Sequence, residues 1–439
     1  MPEALPPAQT TAGFRAIVGR LRTSHGFQGG VILAFATLVL NGCAYLYNVA
    51  CIRYLGPRAY GDIAALLALT AVVALPLGSV QVILAREVAQ FPSLAMTARL
   101  LRRVTLWAAL LGAGLVLLGI VLVVPIQDLL NVDSRAAVVA GISSLLFWIV
   151  AAVLYGVLQG ALRFKALSAT YAIAGVSRLA LVIPALLLGF GVVGALTVNT
   201  LAGALAVLLA FQALRDLWRM REDAEEPTFD RREVGVMLAG SLAFASLTNI
   251  DIVLAAYFLP ADVAGVYAAA ALVGKVVLFL PQSIVTVLLP KAAVRIAAGF
   301  SPHKILLASA AVTLAITLTA TVVLALTPES ALVWAFGPDF REATALLGWF
   351  GLAMTAAALV NIYLSVYFAE RDARFPMVVL GAAIAQVVGI AIWHSEPRSI
   401  VLVTLACCTA AMVIHELAFP FALRRVLHGR AASRAASSA

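Results

Sequence analysis

Two apolar stretches near the start of the chain decide its fold. They read QGGVILAFATLVLNGCAYLYNVACI (residues 28–52) and GDIAALLALTAVVALPLGSVQVILA (residues 61–85), and RYLGPRAY (residues 53–60) joins them. Asp62 is the only charged residue in the two stretches. A helix of about 20 apolar residues crosses the roughly 30 Å hydrocarbon core of a bilayer. The pattern therefore predicts two successive membrane-spanning helices with a short connection.

The same pattern continues through the chain. Further apolar spans are predicted at 104–125, 136–160, 166–189, 192–214, 234–259, 263–289, 305–327, 343–368, 376–393 and 399–421. Hydrophobic residues make up 63% of the chain and charged residues 12%, which excludes an ordinary soluble domain. Because lipid cannot hydrogen-bond the backbone, the spans must be helical. The predicted fold class is an all-α integral membrane protein with about twelve transmembrane helices.

Positive charge collects on alternate loops. The loops on one side, together with both termini, carry 23 Lys and Arg residues, whereas the loops on the other side carry five. Basic residues favour the cytoplasmic side, so both termini and the 215–233 linker are predicted to be cytoplasmic. This asymmetry and contact with anionic membrane lipids account for the net charge of +9. No nucleic-acid partner is therefore predicted.

The sequence lacks motifs for a cofactor or a metal. Its four cysteines, Cys43, Cys51, Cys407 and Cys408, lie inside predicted spans without zinc-site spacing or a disulfide framework, so we interpret them as packing residues. No P-loop occurs, which argues against ATP-driven transport by this chain alone. We predict no cofactor, no metal site and no catalytic residues.

An internal repeat divides the chain into two halves of six spans. Tyr54-Leu-Gly-Pro57, Gly61, Leu75-Pro76 and Arg86 in the first half match Tyr257-Phe-Leu-Pro260, Gly265, Leu280-Pro281 and Lys291 in the second. The predicted regions are an N-terminal segment (1–27), two six-helix bundles (28–214 and 234–421), a cytoplasmic linker (215–233) and a tail (422–439). Parallel repeats of this kind usually enclose a cavity near the membrane midplane.

Three ionisable residues lie deep inside predicted spans. They are Arg178, Lys275 and Asp251. Such residues are costly in a membrane and usually functional. Counting back from the paired prolines, Lys275 corresponds to Thr70 and Asp251 to Asn48, so equivalent positions are polar in both halves.

These residues define a candidate site. Lys275, Arg178, Gln282, Asn48, Thr70 and Gln81 are predicted to line a substrate cavity, and Asp251 is the candidate for ion coupling. Two alternatives remain: small residues around Lys275 could form a helix–helix seam, or Lys275 could pair structurally with Asp251. Arg86 and Glu87 end the second span, either as an anchor at the lipid headgroups or as the cytoplasmic rim of a phosphate path.

Four motifs resemble the polysaccharide transporter branch of the multidrug/oligosaccharidyl-lipid/polysaccharide (MOP) exporter superfamily. They are Arg53-Tyr-Leu-Gly-Pro57-x-x-Tyr60-Gly61, Arg86-Glu87, Leu158-Gln159-Gly160-x-x-Arg163-Phe164 and Asn249-Ile-Asp251 followed by Gly265-Val-Tyr267. The resemblance implies two six-helix bundles around a cationic cavity, in a bacterial cytoplasmic (inner) membrane. It also implies flipping of undecaprenyl-diphosphate-linked oligosaccharide, with a polysaccharide polymerase or export machinery as partner.

The resemblance leaves related activities open. Lipid II flippases often have fourteen spans, so twelve favour an O-antigen, capsule or exopolysaccharide substrate. A multidrug or cation antiporter of the same superfamily is the nearest alternative, although such exporters favour acidic cavities. A membrane glycosyltransferase or ligase is a third alternative, but the largest outer segment (328–342) is short. We therefore predict a secondary transporter rather than an enzyme.

Overall fold

The computed structural model describes residues 24–91, 93–220, 230–281 and 303–419. These residues form α-helices and one 3₁₀ helix, with no strand among them, which confirms the predicted fold class. The first half contains α1 (Ser24–Ala74), α2 (Leu77–Gln90), α3 (Leu94–Val121), α4 (Val123–Leu130), α5 (Arg135–Gly160), α6 (Phe164–Leu187) and α7 (Gly191–Ala213). The short α8 (Arg215–Arg219) follows. The second half contains α9 (Arg231–Phe258), α10 (Ala261–Phe279), α11 (His303–Ala325), α12 (Glu329–Phe336), the 3₁₀ helix Pro338–Ala343, α13 (Thr344–Glu370), α14 (Arg374–Ile392) and α15 (Pro397–Ala418).

Helix α1 contains one complete crossing and the start of the next. Eleven described stretches are long and apolar enough to span a membrane, and the first, Ile32–Gln90, has 59 residues. Gly56 divides it, because its φ of 76° and ψ of 177° are not helical. A positive φ strains residues other than glycine, so glycine suits this turn. The described chain therefore makes twelve crossings, and the predicted eight-residue connection 53–60 shrinks to one non-helical residue.

Polar side chains start several helices. Ser93 and Ser134 accept hydrogen bonds from the backbone N–H groups of Met96 and Ala137, at the starts of α3 and α5. Asp230 does the same for α9, where it accepts from the N–H groups of Arg232 and Glu233. Such caps satisfy donors that have no partner within the helix. Pro76 separates α1 from α2, so the second crossing bends at Leu75-Pro76.

The two halves meet where α1 and α2 pack against α9 and α10. We call the end of the molecule that carries Met220 and Asp230 the linker face, and the opposite end the distal face. At the distal face a Cβ on Gly61 would lie 3.2 Å from the backbone nitrogen of Gly265, and a Cβ on Gly265 would overlap the Pro57 carbonyl. The halves can approach this closely only because Gly265 has no side chain.

A candidate substrate site between the two halves

A charged cluster joins the halves at the linker face. Arg86 of α2 donates to both carboxylate oxygens of Glu233 in α9, and Arg371 lies 2.9 Å from the same carboxylate. Arg371 also donates to Asp230 over 3.0 Å. Glu233 is only 3% exposed. This nearly buried carboxylate therefore binds one arginine from each half, Arg86 and Arg371. Arg86 also pairs with the neighbouring Glu87 at 2.7 Å.

The local chain positions each member of this cluster. Glu233 lies in the first turn of α9 directly after its cap, Asp230. The backbone N–H groups of Glu233 and Arg232 hold the pKa of Asp230 below its ordinary value. Arg371 ends α13 in the left-handed conformation, with φ of 57°, which turns the chain toward α14. The predicted rim residue Arg86 is therefore a bridge between the halves.

Between the two faces lies a cavity of about 360 Å³. Ser79 and Ser241 lie in its walls, and their hydroxyls hydrogen-bond each other across the halves. Its walls come from the first half near the Pro76 bend and from α9, α10 and α13. They comprise Leu75, Gly78, Ser79, Val82, Met237, Ser241, Phe244, Ala245, Thr248, Asn249, Lys275, Leu278, Phe279, Asn361, Leu364, Ser365 and Phe368. Hydroxyls, amides and one ammonium group thus face an otherwise apolar space.

A second cavity of about 170 Å³ lies nearer the distal face. Its walls are Asn48, Tyr60, Ala64, Leu67, Ala68, Ala71, Asn249, Ile252, Ala268, Leu272 and Lys275. Among the residues that the structure describes, Lys275 is the only charged one that lines either cavity. From the linker face to the distal face, the interface thus contains the Arg86–Glu233 contact, the larger cavity, the smaller cavity and the Gly61–Gly265 contact.

Lys275 and Asn249 are bonded to each other at this interface. The Lys275 ammonium donates to the Asn249 side-chain oxygen over 2.8 Å. The Asn249 amide nitrogen donates to the Ala245 carbonyl at 2.8 Å and to the Thr248 hydroxyl at 3.1 Å. These bonds orient the amide so that its oxygen faces Lys275. Within the described chain no carboxylate lies within ion-pair distance of Lys275, so the predicted alternative of an Asp251–Lys275 pair is not formed.

The other predicted cavity residues lie in different surroundings. Asn48 lines the smaller cavity and accepts a long hydrogen bond of 3.4 Å from Tyr60. Thr70 is buried, and its hydroxyl bonds the Leu66 and Leu67 carbonyls of its own helix. The Gln81 amide bonds Gln159 and Tyr171 inside the first bundle. Gln282 lies outside the described residues.

Arg178 lies inside the first bundle and lines neither of these cavities. Its guanidinium carbon is 4.1 Å from the centre of the Tyr47 ring, a cation–π contact. The Tyr47 hydroxyl donates to the Ala195 carbonyl at 2.8 Å, so the ring is held between α6 and α7. The structure therefore separates Arg178 from Lys275, although both are deep cations in the sequence.

Asp251 points into the second bundle. It is fully buried, and one of its oxygens accepts a hydrogen bond from Tyr267 at 2.9 Å. The other oxygen has no hydrogen-bond partner within the described ranges, and neither has the side-chain oxygen of Gln386. The Gln386 amide nitrogen reaches the Leu247 carbonyl, one helical turn before Asp251. A buried acceptor without a partner is costly, which keeps Asp251 a candidate for binding a cation or a proton.

Sequence reasoning missed Asn249, Glu233 and Arg371. Asn249 and Asp251 are two residues apart, which places them about 200° apart around a helix. Only one of the two can face the partner half. The sequence indicates Asp251 as the site residue because it is ionisable. The position of Asn249 could have been found from the helical hairpin: Asn249 precedes Lys275 by 26 residues, and the two lie on adjacent helices of the same hairpin.

The chain matches one protein family over most of its length. Residues 27–294 match the family described as "Polysaccharide biosynthesis protein". No curated protein matches the chain in a sequence comparison.

Several solved structures share the fold. The lipid II flippase MurJ, in an inward closed conformation, is 13% identical with a TM-score of 0.70, covering 90% of this chain and 87% of that chain. An inward-facing multidrug resistance MATE family transporter is 12% identical with a TM-score of 0.67, covering 86% of this chain and 96% of that chain. A MOP superfamily transporter from Pyrococcus furiosus Vc1, described as having a binding pocket of reverse polarity, is 13% identical with a TM-score of 0.61, covering 88% and 94%.

These sequence identities are too low to assign a substrate to this chain. The structural similarity shows a shared architecture of two six-helix bundles. The family match covers well over half of the chain. The chain therefore belongs to the polysaccharide biosynthesis protein family and has the fold of the MOP exporter superfamily.

Proposed function

We propose that this protein is a flippase that moves undecaprenyl-diphosphate-linked oligosaccharide from the cytoplasmic to the outer leaflet, for synthesis of a surface polysaccharide. One observation carries the proposal: the Lys275 ammonium lies between the two halves, faces two cavities and forms no ion pair with a carboxylate of the described residues. A buried ammonium has three donors, and Asn249 occupies one of them. The site therefore suits an anionic group.

The lining of the larger cavity suits the rest of such a headgroup. Hydroxyls and amides of Ser241, Asn361 and Ser365 can hydrogen-bond sugar hydroxyls. A diphosphate cannot cross hydrocarbon without partners, whereas charge-assisted bonds to an ammonium stabilise it. The long apolar tail can stay in the bilayer while the headgroup passes between the halves.

Alternating access would separate the halves at one face and then at the other. The basic bias of the loops makes the linker face cytoplasmic. Opening that face requires release of Glu233 from Arg86 and separation of Ser79 from Ser241. Opening the distal face requires separation of Gly61 from Gly265. It also requires release of Arg53, which donates to the Trp334 carbonyl over 2.6 Å.

The cycle is proposed to be coupled to a proton or sodium ion at Asp251. Its carboxylate is fully buried, accepts a hydrogen bond from Tyr267 and has one oxygen without a hydrogen-bond partner in the described part of the chain. A cation bound there would neutralise the charge, and its release would restore a costly buried anion. The carboxylate lies two residues from Asn249, so occupancy of this site can act on α9, whose Asn249 binds Lys275.

A multidrug antiporter is the alternative function, since MATE transporters share the fold. The sign of the cavity charge opposes it, because the described residues that line the two cavities include one cation and no acid. An organic cation would be repelled by Lys275. A membrane glycosyltransferase or ligase would need catalytic acids near its substrate, and the same lining offers none.

A complementation assay tests the proposal. The gene is expressed in a host that lacks its own flippase, and surface polysaccharide is measured with membrane expression matched between variants. Lys275→Ala is expected to abolish export without loss of insertion, and Lys275→Arg to retain part of it, because the charge survives while the geometry changes. Lys165→Ala is the matched control, since Lys165 is exposed at the linker face. Full export by Lys275→Ala would contradict the proposal.

A further inference from the structure

The Lys275–Asn249 bond lies at the boundary between the two cavities. These two residues line both cavities, and no other described residue does so. On α9, the residues of the larger cavity run from Met237 to Asn249, and the smaller cavity takes Asn249 and Ile252. On α10, the order is reversed around Lys275, as expected for an antiparallel neighbour. The bonded pair thus stands where a headgroup would pass from one cavity to the other.

The Lys275–Asn249 hydrogen bond is suited to exchange for a bond between Lys275 and an anion. Its acceptor is a neutral amide oxygen, whereas a phosphate oxygen carries charge and binds an ammonium more strongly. The Asn249 amide is held by the Ala245 carbonyl and the Thr248 hydroxyl, so it stays in place when its lysine leaves. The Lys275 ammonium is carried by a flexible four-carbon stem and can follow an incoming anion.

We propose that Asn249 is an internal stand-in for the anionic group of the substrate. In the empty protein it binds Lys275 across the boundary and keeps the two cavities apart. An anionic headgroup that enters the larger cavity displaces Asn249 from the lysine, which opens the passage toward the smaller cavity. This role regulates the site of the proposed function and rests on that function.

Binding of a soluble anionic probe to the purified protein tests the exchange. Geranylgeranyl diphosphate serves as the probe, and its affinity is measured by calorimetry in nanodiscs. Asn249→Leu keeps much of the volume but removes the acceptor, so Lys275 has no internal competitor and the probe should bind about threefold to tenfold more tightly. Asn249→Asp places a carboxylate against the lysine, which should weaken binding about tenfold or more.

The sign of the Asn249→Leu effect separates this role from a purely positioning one. If Asn249 only positions Lys275 for the anion, its loss should weaken binding, and that result would overturn the inference while leaving the anion site intact. Gln212→Leu, an exposed amide at the end of α7, controls for the change of residue type. Variants are compared only when they elute as a single species with an unchanged Tm. Should the wild-type protein fail to bind the probe, or bind it as well after Lys275→Met, both the inference and the proposed function would fall.

Discussion

Arg86 and Glu233 lie 147 residues apart in sequence, in opposite halves of the molecule, and their side chains meet at the linker face. The Glu233 carboxylate also binds Arg371, which belongs to its own half. The carboxylate is therefore the shared element of a contact that, in the proposed cycle, breaks each time this face opens. Loss of an arginine would leave the nearly buried Glu233 carboxylate less well compensated, which is destabilising.

Glu233→Gln should shift the protein toward states that are open at the linker face. The neutral amide keeps the shape but loses the charge that attracts both arginines. The measurement is disulfide cross-linking of Ser79→Cys with Ser241→Cys in a background without native cysteines, since the two hydroxyls are in contact. Cross-linking yield should fall several-fold. Glu329→Gln, on an exposed carboxylate at the distal face, should leave the yield unchanged.

Gly265→Ala should separate the halves at the distal face. An added methyl group would overlap the Pro57 carbonyl, and overpacking of this kind costs about 1–3 kcal/mol. We expect a lower Tm in detergent and reduced export. The matched control is Gly381→Ala in α14, because a Cβ there meets no atom within 4 Å. Equal behaviour of the two alanine variants would contradict the close contact.

Asp251→Asn should uncouple substrate movement from the ion gradient while substrate binding is retained. An amide cannot release a proton, and it attracts sodium less than a carboxylate does. Flipping is measured in reconstituted vesicles with and without an imposed proton or sodium gradient. Asp262→Asn, an exposed acid in the first turn of α10, is the control. A variant at Asp251 that still responds fully to the gradient would end the coupling hypothesis.

The linker should be cytoplasmic, because 23 basic residues lie on its side and five on the other. A phosphatase reporter fused at Ala224 should be inactive, and a cytoplasmic fluorescent reporter at the same place should be active. Residue 224 lies outside the described residues, so this expectation rests on the charge pattern alone. An active periplasmic phosphatase at Ala224 would refute the arrangement of six spans on each side of the linker.

Acid should weaken the contact that holds α8 against the loop before α6. Hydrogen bonds from Arg163 hold the pKa of Asp216 below its ordinary value. A lowered pKa stabilises the fold above the unfolded-state value of about 3.9, and the effect is lost as pH falls through the lower folded-state value. The Tm difference between wild type and Asp216→Asn should therefore be present at neutral pH, begin to shrink near the unfolded-state pKa of about 3.9, and vanish only below the lower folded-state pKa. A difference that persists in acid would contradict this assignment.

The sequence by itself determined the membrane class, the twelve crossings and the repeat of two halves. These follow from local composition, because any apolar segment of sufficient length must form a helix in lipid to satisfy its own backbone. Lys275 was found in the same way, since a deep cation stands out in an apolar span. The family resemblance rested on short motifs, and residues 27–294 bear it out.

Only the tertiary structure decided which polar residue Lys275 contacts. Asn249 and Asp251 are both polar and lie two residues apart, but the rotation of α9 turns Asn249 toward the cavities and Asp251 toward Tyr267. Arg86 and Glu233 likewise meet only through the packing of α2 against α9. Helix formation depends on neighbours a few residues away, whereas helix rotation and pairing depend on contacts between residues of different helices, which are 26 residues apart for Asn249 and Lys275 and 147 for Arg86 and Glu233. That is why the sequence determined the spans and the tertiary structure determined the site.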